Sequence, residues 1–140
     1  MSVWKLFRRD QRGAAAIEFA IALPVMVVMI YGIFQVGLIY QANAGMQHAL
    51  GEGARLASLC VPTANGCNAP SDASIVTRMQ DKLFGDNIGA FGTPAVTTPP
   101  AATCTNCRLL TVTYTVTPNY LFFSGSPVTL TRTKRVYIAH

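Results

Sequence analysis

Residues 12–58 have the sequence RGAAAIEFAIALPVMVVMIYGIFQVGLIYQANAGMQHALGEGARLAS, and this stretch decides the architecture of the chain. Residues 19–38 within it carry no charge, and a helix needs about 20 apolar residues to cross the hydrocarbon core of a bilayer. The sequence therefore predicts a transmembrane helix. The apolar run is longer than that of a secretory signal peptide and no small-residue cleavage site closes it, so we expect the helix to stay attached to the chain.

The distribution of positive charge predicts the orientation of this helix. Four of the eleven basic residues lie in a short leader, residues 1–13, just before the apolar run. Because positive residues favour the cytoplasmic side, we expect a single-pass protein of the bacterial inner membrane with a cytoplasmic N-terminus and a periplasmic C-terminal domain. The net charge of +5 does not predict nucleic acid as a partner, since no basic helix occurs. We expect the later cluster of Arg132, Lys134 and Arg135 to be solvated.

Helical spacing of apolar residues continues beyond the span. It predicts one helix over residues 14–59, about 70 Å long at about 1.5 Å per residue. Gly45, Ala49, Gly53 and Ala57 recur at intervals of four residues within it. Such a ridge of small residues would let another helix or a sheet pack closely, although an ordinary alanine-rich core face gives the same pattern.

The next part of the chain contains one further helix between two irregular segments. Residues 60–70 are rich in Pro, Gly and Asn, which predicts a loop. Ser71 is placed to cap a short amphipathic helix over residues 72–84. Residues 85–102 are rich in Gly, Pro and Thr without periodicity, so we expect a loop or linker there.

The C-terminal part alternates in the manner of strands. Residues 110–117 alternate apolar side chains with threonines, and residues 128–139 follow a turn sequence, which predicts an antiparallel pair. The predicted fold class is therefore α+β. We expect the basic leader at residues 1–13, a long transmembrane and extended helix at residues 14–59, and a small extracytoplasmic domain at residues 60–140.

All four cysteines follow the apolar run, at Cys60, Cys67, Cys104 and Cys107. An even number on one side of a membrane indicates an oxidising compartment, and nearness in sequence predicts the disulfides Cys60–Cys67 and Cys104–Cys107. A zinc site, a redox site and free or intermolecular thiols stay open as alternatives. Redox chemistry is disfavoured because Cys104 and Cys107 precede a strand and not a helix.

The stretch from residue 12 to residue 58 closely resembles the start of TadE-like proteins, the minor pilins of tight-adherence (Flp) pilus systems. Residues 112–136, VTYTVTPNYLFFSGSPVTLTRTKRV, also look like the strand, proline-containing loop and strand that close the domain of that family. The resemblance implies a small pilin-like domain. It further implies a prepilin peptidase and other pilin and minor pilin subunits as partners.

The resemblance also implies roles for residues at the start of the helix. Cleavage by the peptidase after Gly13 would leave Ala14 as the new N-terminus and Glu18, followed by Phe19, as the fifth mature residue. In pilin-like assemblies, Glu18 would pair with the free amine of Ala14 on a neighbouring subunit. A carboxylate that merely reaches the headgroups is the alternative.

The chain departs from many relatives near the far end of the span. Those relatives carry an acidic residue and an arginine where this chain has Gln35 and Leu38. Charge pairing between subunits at that level is therefore not expected here.

We find no catalytic constellation in the sequence. His48 and Glu52 lie one helical turn apart, which is more typical of a surface pair than of a catalytic base, and Ser124 has no base nearby in sequence. We therefore expect no enzymatic activity, no metal, no cofactor and no small-molecule substrate. The predicted function is that of a minor pilin or pseudopilin, with incorporation into an extracellular pilus. The alternatives are an uncleaved, signal-anchored periplasmic binding or adhesion domain and a membrane-tethered thiol oxidoreductase.

Overall fold

The computed structural model describes residues 13–59, 61–63, 66–100, 104 and 106–138. The fold is α+β, which confirms the predicted class. The elements in chain order are α1 (Ala14–Ala57), β1 (Val61–Thr63), β2 (Gly66–Asn68), α2 (Asp72–Gln80), β3 (Gly89–Phe91), β4 (Ala95–Thr97), β5 (Cys107–Val116) and β6 (Val128–Tyr137).

Helix α1 combines the predicted span and its extension in one uninterrupted element of 44 residues. It continues through Pro24 and ends at Ala57, where the Ser58 N–H donates to the carbonyl of Ala54 and the Ser58 hydroxyl donates to the carbonyl of Arg55. Its N-terminal half is exposed in this chain, with a mean hydropathy of 2.3 over its most apolar window. Among the described residues α1 alone is long and apolar enough to cross a membrane.

The C-terminal half of α1 belongs to the folded core. Ala42, Met46 and Ala49 are fully buried there. A Cβ added at Gly45 would overlap the backbone carbonyl oxygen of Phe84, and one added at Gly53 would lie 2.5 Å from Cγ of Met79. The small residues therefore let α2 and the segment after it approach the helix backbone, which confirms the prediction of close packing.

Helix α2 begins where predicted and ends earlier. The Ser71 hydroxyl accepts a hydrogen bond from the backbone N–H of Ser74 at 3.3 Å, so it forms the expected N-cap. The helix stops at Gln80 and not at residue 84 because the chain then turns to lay Phe84 and Gly85 across α1. Gly85 has φ +92°, a conformation that residues with a Cβ seldom adopt.

One four-stranded antiparallel sheet packs on α1. Strand β5 lies at its centre and pairs with β6 over ten residues, from Cys107 opposite Tyr137 to Val116 opposite Val128. Strands β3 and β4 pair with the other edge of β5. In the described part of the chain, no strand pairs with the outer edge of β6. The predicted strands are thus confirmed, with β5 starting three residues earlier than expected.

Two predicted irregular segments contain short strands, so the loop predictions are wrong at those places. Residues 85–102 include β3 and β4, and residues 60–70 include the antiparallel hairpin of β1 and β2. Each of these strands has three residues, which is too short to leave an alternating pattern. They form because a neighbouring strand satisfies their backbone groups.

The inner face of β5 completes the core. Leu110, Val112 and Tyr114 are fully buried and face α1, together with Ile75 and Met79 from α2. The folded domain also contacts α1 at Gln35, whose side chain is buried although it lies inside the predicted span.

Candidate functional site

The residues implied in processing lie at the start of α1. Gly13 is the residue before the helix, and Ala14 is its first residue. A Cβ added at Gly13 would meet nothing within 4 Å, so no other described part of the chain covers the Gly13–Ala14 bond. The leader before Gly13 lies outside the described residues. Cleavage between Gly13 and Ala14 therefore stays a prediction.

Glu18 lies one turn into α1, beside Phe19, and both side chains are exposed. No described residue forms an ion pair or a hydrogen bond with the Glu18 carboxylate. It lines a shallow groove whose other walls are apolar side chains of the same helix, namely Ile21, Ala22, Val25, Met26 and Met29. The Glu18 carboxylate thus lies at the edge of an apolar surface that would face lipid. Placing a charge there costs free energy unless an opposite charge pairs with it.

Gln35 has a structural role that sequence reasoning missed. Only 7% of its surface is exposed, and its Oε1 accepts a hydrogen bond from the backbone N–H of Asn119 at 3.1 Å. Asn119 lies in the connection between β5 and β6. This hydrogen bond therefore links the β5–β6 connection to the C-terminal end of the predicted span. An amide side chain within an apolar segment indicates that a hydrogen-bond partner is needed, but the sequence does not identify Asn119 as that partner.

The cysteine pairs differ in how far the structure describes them. A disulfide joins Cys104 to Cys107, the pair expected from the sequence, and Cys107 is buried at the first position of β5. The expected Cys60–Cys67 pair lies outside the described residues, because Cys60 and the side chain of Cys67 are not described. Within the described part of the chain, no three His, Cys, Asp or Glu side chains come together as a metal site would require.

Glu52 forms an ion pair with Arg78 of α2, and the nearby His48 also contributes to lowering the pKa of Glu52. The Arg78 guanidinium donates to the Glu52 carboxylate at 2.9 Å, and this hydrogen bond is the main reason why the pKa of Glu52 is lowered. His48 Nδ1 lies 3.4 Å from the carbonyl oxygen of Lys82, and its ring packs against Phe84. Arg78 reaches Glu52 because α2 packs closely on α1. The sequence alone does not indicate this contact.

Comparison with protein families adds one match. Residues 13–55 match the family model described as TadE-like protein. The N-terminal segment is thus similar to TadE-like proteins. The TadE-like match begins at Gly13 and covers nearly all of α1, so it contains Ala14, Glu18 and Phe19 but leaves out the sheet. It supports a pilus-associated protein of tight-adherence systems. No curated protein and no solved structure matches the chain.

Proposed function

We propose that the chain is a minor pilin or pseudopilin, a structural component in the assembly of a tight-adherence pilus, processed by a prepilin peptidase between Gly13 and Ala14. The observation that carries this proposal is the TadE-like match, which starts at Gly13 and runs along an apolar helix that bears one acidic residue near its start. Its other expected partners are pilin and minor pilin subunits and the inner membrane.

The N-terminal half of α1 is the proposed assembly surface. Most of its large apolar side chains between residues 17 and 34 are exposed, and the folded domain does not cover them. In a bilayer such a surface is matched equally well by lipid tails and by apolar helices, so apolar contact alone gives little preference for a subunit. A polar attraction is needed to favour assembly, and Glu18 is placed to supply it.

Cleavage would create the partner for Glu18. The new α-amine of Ala14 is positive at neutral pH, and the Glu18 carboxylate of another subunit is negative. In a medium of low dielectric, the attraction between such charges amounts to a few kcal/mol, and it also offsets the cost of holding the carboxylate in lipid. Processing and assembly are thus linked, because an uncleaved chain has no amine at this level.

The folded domain is proposed to act in position and shape and not in catalysis. Two ion pairs of the domain join different elements: Arg78 with Glu52, and Arg108 with Asp72, each at 2.9 Å. These pairs hold α2 against α1 and β5. A domain attached in this way to the C-terminal half of α1 moves together with the helix. This suits a subunit whose helix determines its position in a fibre.

Processing is tested by the mass of the mature N-terminus. The chain is co-expressed with its own peptidase, and we expect a product beginning at Ala14. Gly13→Val should block cleavage, because the β-branched side chain crowds the scissile bond. Gly37→Val is the matched control, since a Cβ there also meets nothing within 4 Å, and it should be processed normally. A parent chain that still begins at Met1 would rule out the pilin proposal.

Assembly is tested by incorporation into pili. Glu18→Gln and Glu18→Ala should give cleaved, membrane-inserted proteins that do not join pili, and mass measurement on the same samples checks cleavage. Asp81→Asn is the matched control, because it removes an exposed carboxylate outside the span. Normal incorporation of the Glu18→Gln chain would mean that Glu18 merely reaches the headgroups. An intact, uncleaved chain found only in membranes would instead favour the signal-anchored binding or adhesion domain.

A further inference from the structure

The connection between β5 and β6, residues 117–127, presents an unusual apolar surface. We refer to it as the aromatic loop. Tyr120, Leu121, Phe122 and Phe123 follow one another at its tip, and their exposed fractions are 39%, 49%, 76% and 65%. The loop contains no charged residue. Four consecutive large apolar side chains in water are unfavourable, so this tip calls for a covering partner.

The aromatic loop has a defined shape. The Tyr120 N–H donates to the carbonyl of Phe123 at 2.8 Å, and the two rings pack with centroids 5.1 Å apart. Leu121 has φ +71°, and its N–H donates to the side chain of Asn119 at 3.1 Å. The backbone at Leu121 thus adopts a conformation that leucine seldom takes, and local hydrogen bonds hold it there.

The position of the loop along α1 indicates what covers it. Asn119 is fastened to Gln35, which lies three residues before the end of the predicted span at residue 38. At about 1.5 Å per residue, the loop is therefore anchored about 4–5 Å inside the edge of the hydrocarbon core. The exposed aromatic side chains stand beside the last turn of the transmembrane segment and not at the far end of the domain.

Two basic residues, Arg132 and Lys134, lie next to the aromatic loop, farther from the predicted span along α1. The Arg132 Nε donates to Asn43 Oδ1 at 2.8 Å, and Asn43 is eight residues after Gln35, which is about 12 Å farther along α1. On β6, Arg132 and Lys134 lie directly opposite Val112 and Leu110 of β5. Because residues directly opposite each other point to the same face, both basic residues lie on the face of the sheet that meets α1. This level falls near the outer part of the headgroup layer, which extends about 5–8 Å beyond the hydrocarbon core.

We propose that the aromatic loop is a second membrane contact, which inserts its tip into the interface of the outer leaflet while Arg132 and Lys134 face anionic lipid headgroups. Aromatic residues favour this interface, and basic residues above them favour anionic lipids. The contact would fix the height and tilt of the domain relative to the membrane. It depends on α1 crossing the bilayer, but neither on cleavage nor on assembly into a pilus.

The test uses single tryptophans in the full chain, reconstituted in vesicles of phosphatidylethanolamine and phosphatidylglycerol. Trp4 is replaced by Phe, and tryptophan is introduced as Phe122→Trp. Tyr137→Trp is the matched control, because Tyr137 is 67% exposed at the other end of β6, about 30 Å from the loop. Phe34→Trp reports insertion of the span.

We expect the Phe122→Trp emission to shift to shorter wavelength and to be quenched by lipids brominated near the headgroup. The Tyr137→Trp emission should stay at the wavelength of solvated tryptophan and be unaffected by brominated lipid. Adding Arg132→Gln and Lys134→Gln should weaken the quenching of Trp at position 122 in these anionic vesicles and leave it unchanged in phosphatidylcholine vesicles.

Three outcomes would overturn the proposal. Quenching of Phe122→Trp no stronger than that of Tyr137→Trp would show that the loop stays in water. A blue shift without quenching, rising with the ratio of protein to lipid, would show that a second copy covers the loop. Absence of quenching for Phe34→Trp would show that α1 does not span the membrane. A failed cleavage or pilus assay changes none of these readouts, so the two proposals are tested separately.

Discussion

Replacing Gly45 by alanine should destabilise the folded domain although alanine is the better helix former. In an open position on a helix, Gly→Ala gains about 0.5–1 kcal/mol, because glycine loses more conformational freedom on folding. At Gly45 the new Cβ would overlap the backbone carbonyl oxygen of Phe84. A backbone atom cannot rotate away, and overpacking of this kind costs about 1–3 kcal/mol. The expected net effect is therefore a loss that centres on about 1 kcal/mol and reaches at most about 2.5 kcal/mol.

Two glycines of the same helix serve as internal references. A Cβ at Gly51 would meet nothing within 4 Å, so Gly51→Ala should stabilise the domain by the full helix-forming gain. At Gly53 the nearest atoms are Cγ and Sδ of Met79 at 2.5 and 2.9 Å, and a flexible side chain can shift. Gly53→Ala should fall between the other two.

The measurement is thermal unfolding of the full chain in detergent micelles, followed by near-ultraviolet circular dichroism. This signal reports the packing of aromatic rings such as Phe91 and Tyr114, whose centroids lie 4.9 Å apart. With about 4–8 °C of Tm per kcal/mol for a domain of this size, Gly45→Ala and Gly51→Ala should differ by about 10 °C. If Gly45→Ala melted at or above Gly51→Ala, the close packing of Phe84 against α1 would be refuted.

Three further predictions use the same unfolding measurement. The Tyr114 hydroxyl is buried, and no described residue forms a hydrogen bond with it; Tyr114→Phe should therefore leave stability unchanged or raise it by up to about 1 kcal/mol, whereas a clear loss would reveal a partner. Since the pKa of Glu52 is lowered in the folded state, its pairing should stabilise the domain at neutral pH and lose this effect as the pH falls through the folded pKa. The difference in Tm between the parent and Arg78→Gln should accordingly vanish in acid, and a difference independent of pH would contradict the pairing. Replacing both Cys104 and Cys107 by serine should cost at most about 2 kcal/mol, because the disulfide closes a short loop, and peptide mapping without reductant should find the two joined in the parent.

Patterns that extend over many residues made the main elements predictable from the sequence. The ten residues of β5 alternate apolar side chains with threonines over most of their length, and α1 repeats its small and apolar residues over more than ten turns at about 3.6 residues per turn. Strands β3 and β4 were not predictable, because three residues show no period and their partners on β5 lie farther along the chain. Their local sequence is also that of a loop.

The same distinction applies to the candidate site. Gly13, Glu18 and the start of the apolar run lie close together in sequence, so a local motif carries them. Gln35 and Asn119 are 84 residues apart, and nothing in the sequence of either indicates the other. A polar residue inside an apolar segment shows that a partner is needed, but the fold decides which one. Contacts between distant residues were therefore the part that only the structure supplied.

The free outer edge of β6 has a consequence for chains crowded together in a membrane or a fibre. An unpaired strand of ten residues can act as a template on which a second chain adds its own strand, and repetition leads to aggregation. Here the strand carries Arg132, Lys134 and Arg135 within four positions. Two such edges brought together in antiparallel alignment would set like charges close to one another, which disfavours their pairing. Neighbouring domains can thus stand side by side at high density without merging into a continuous sheet.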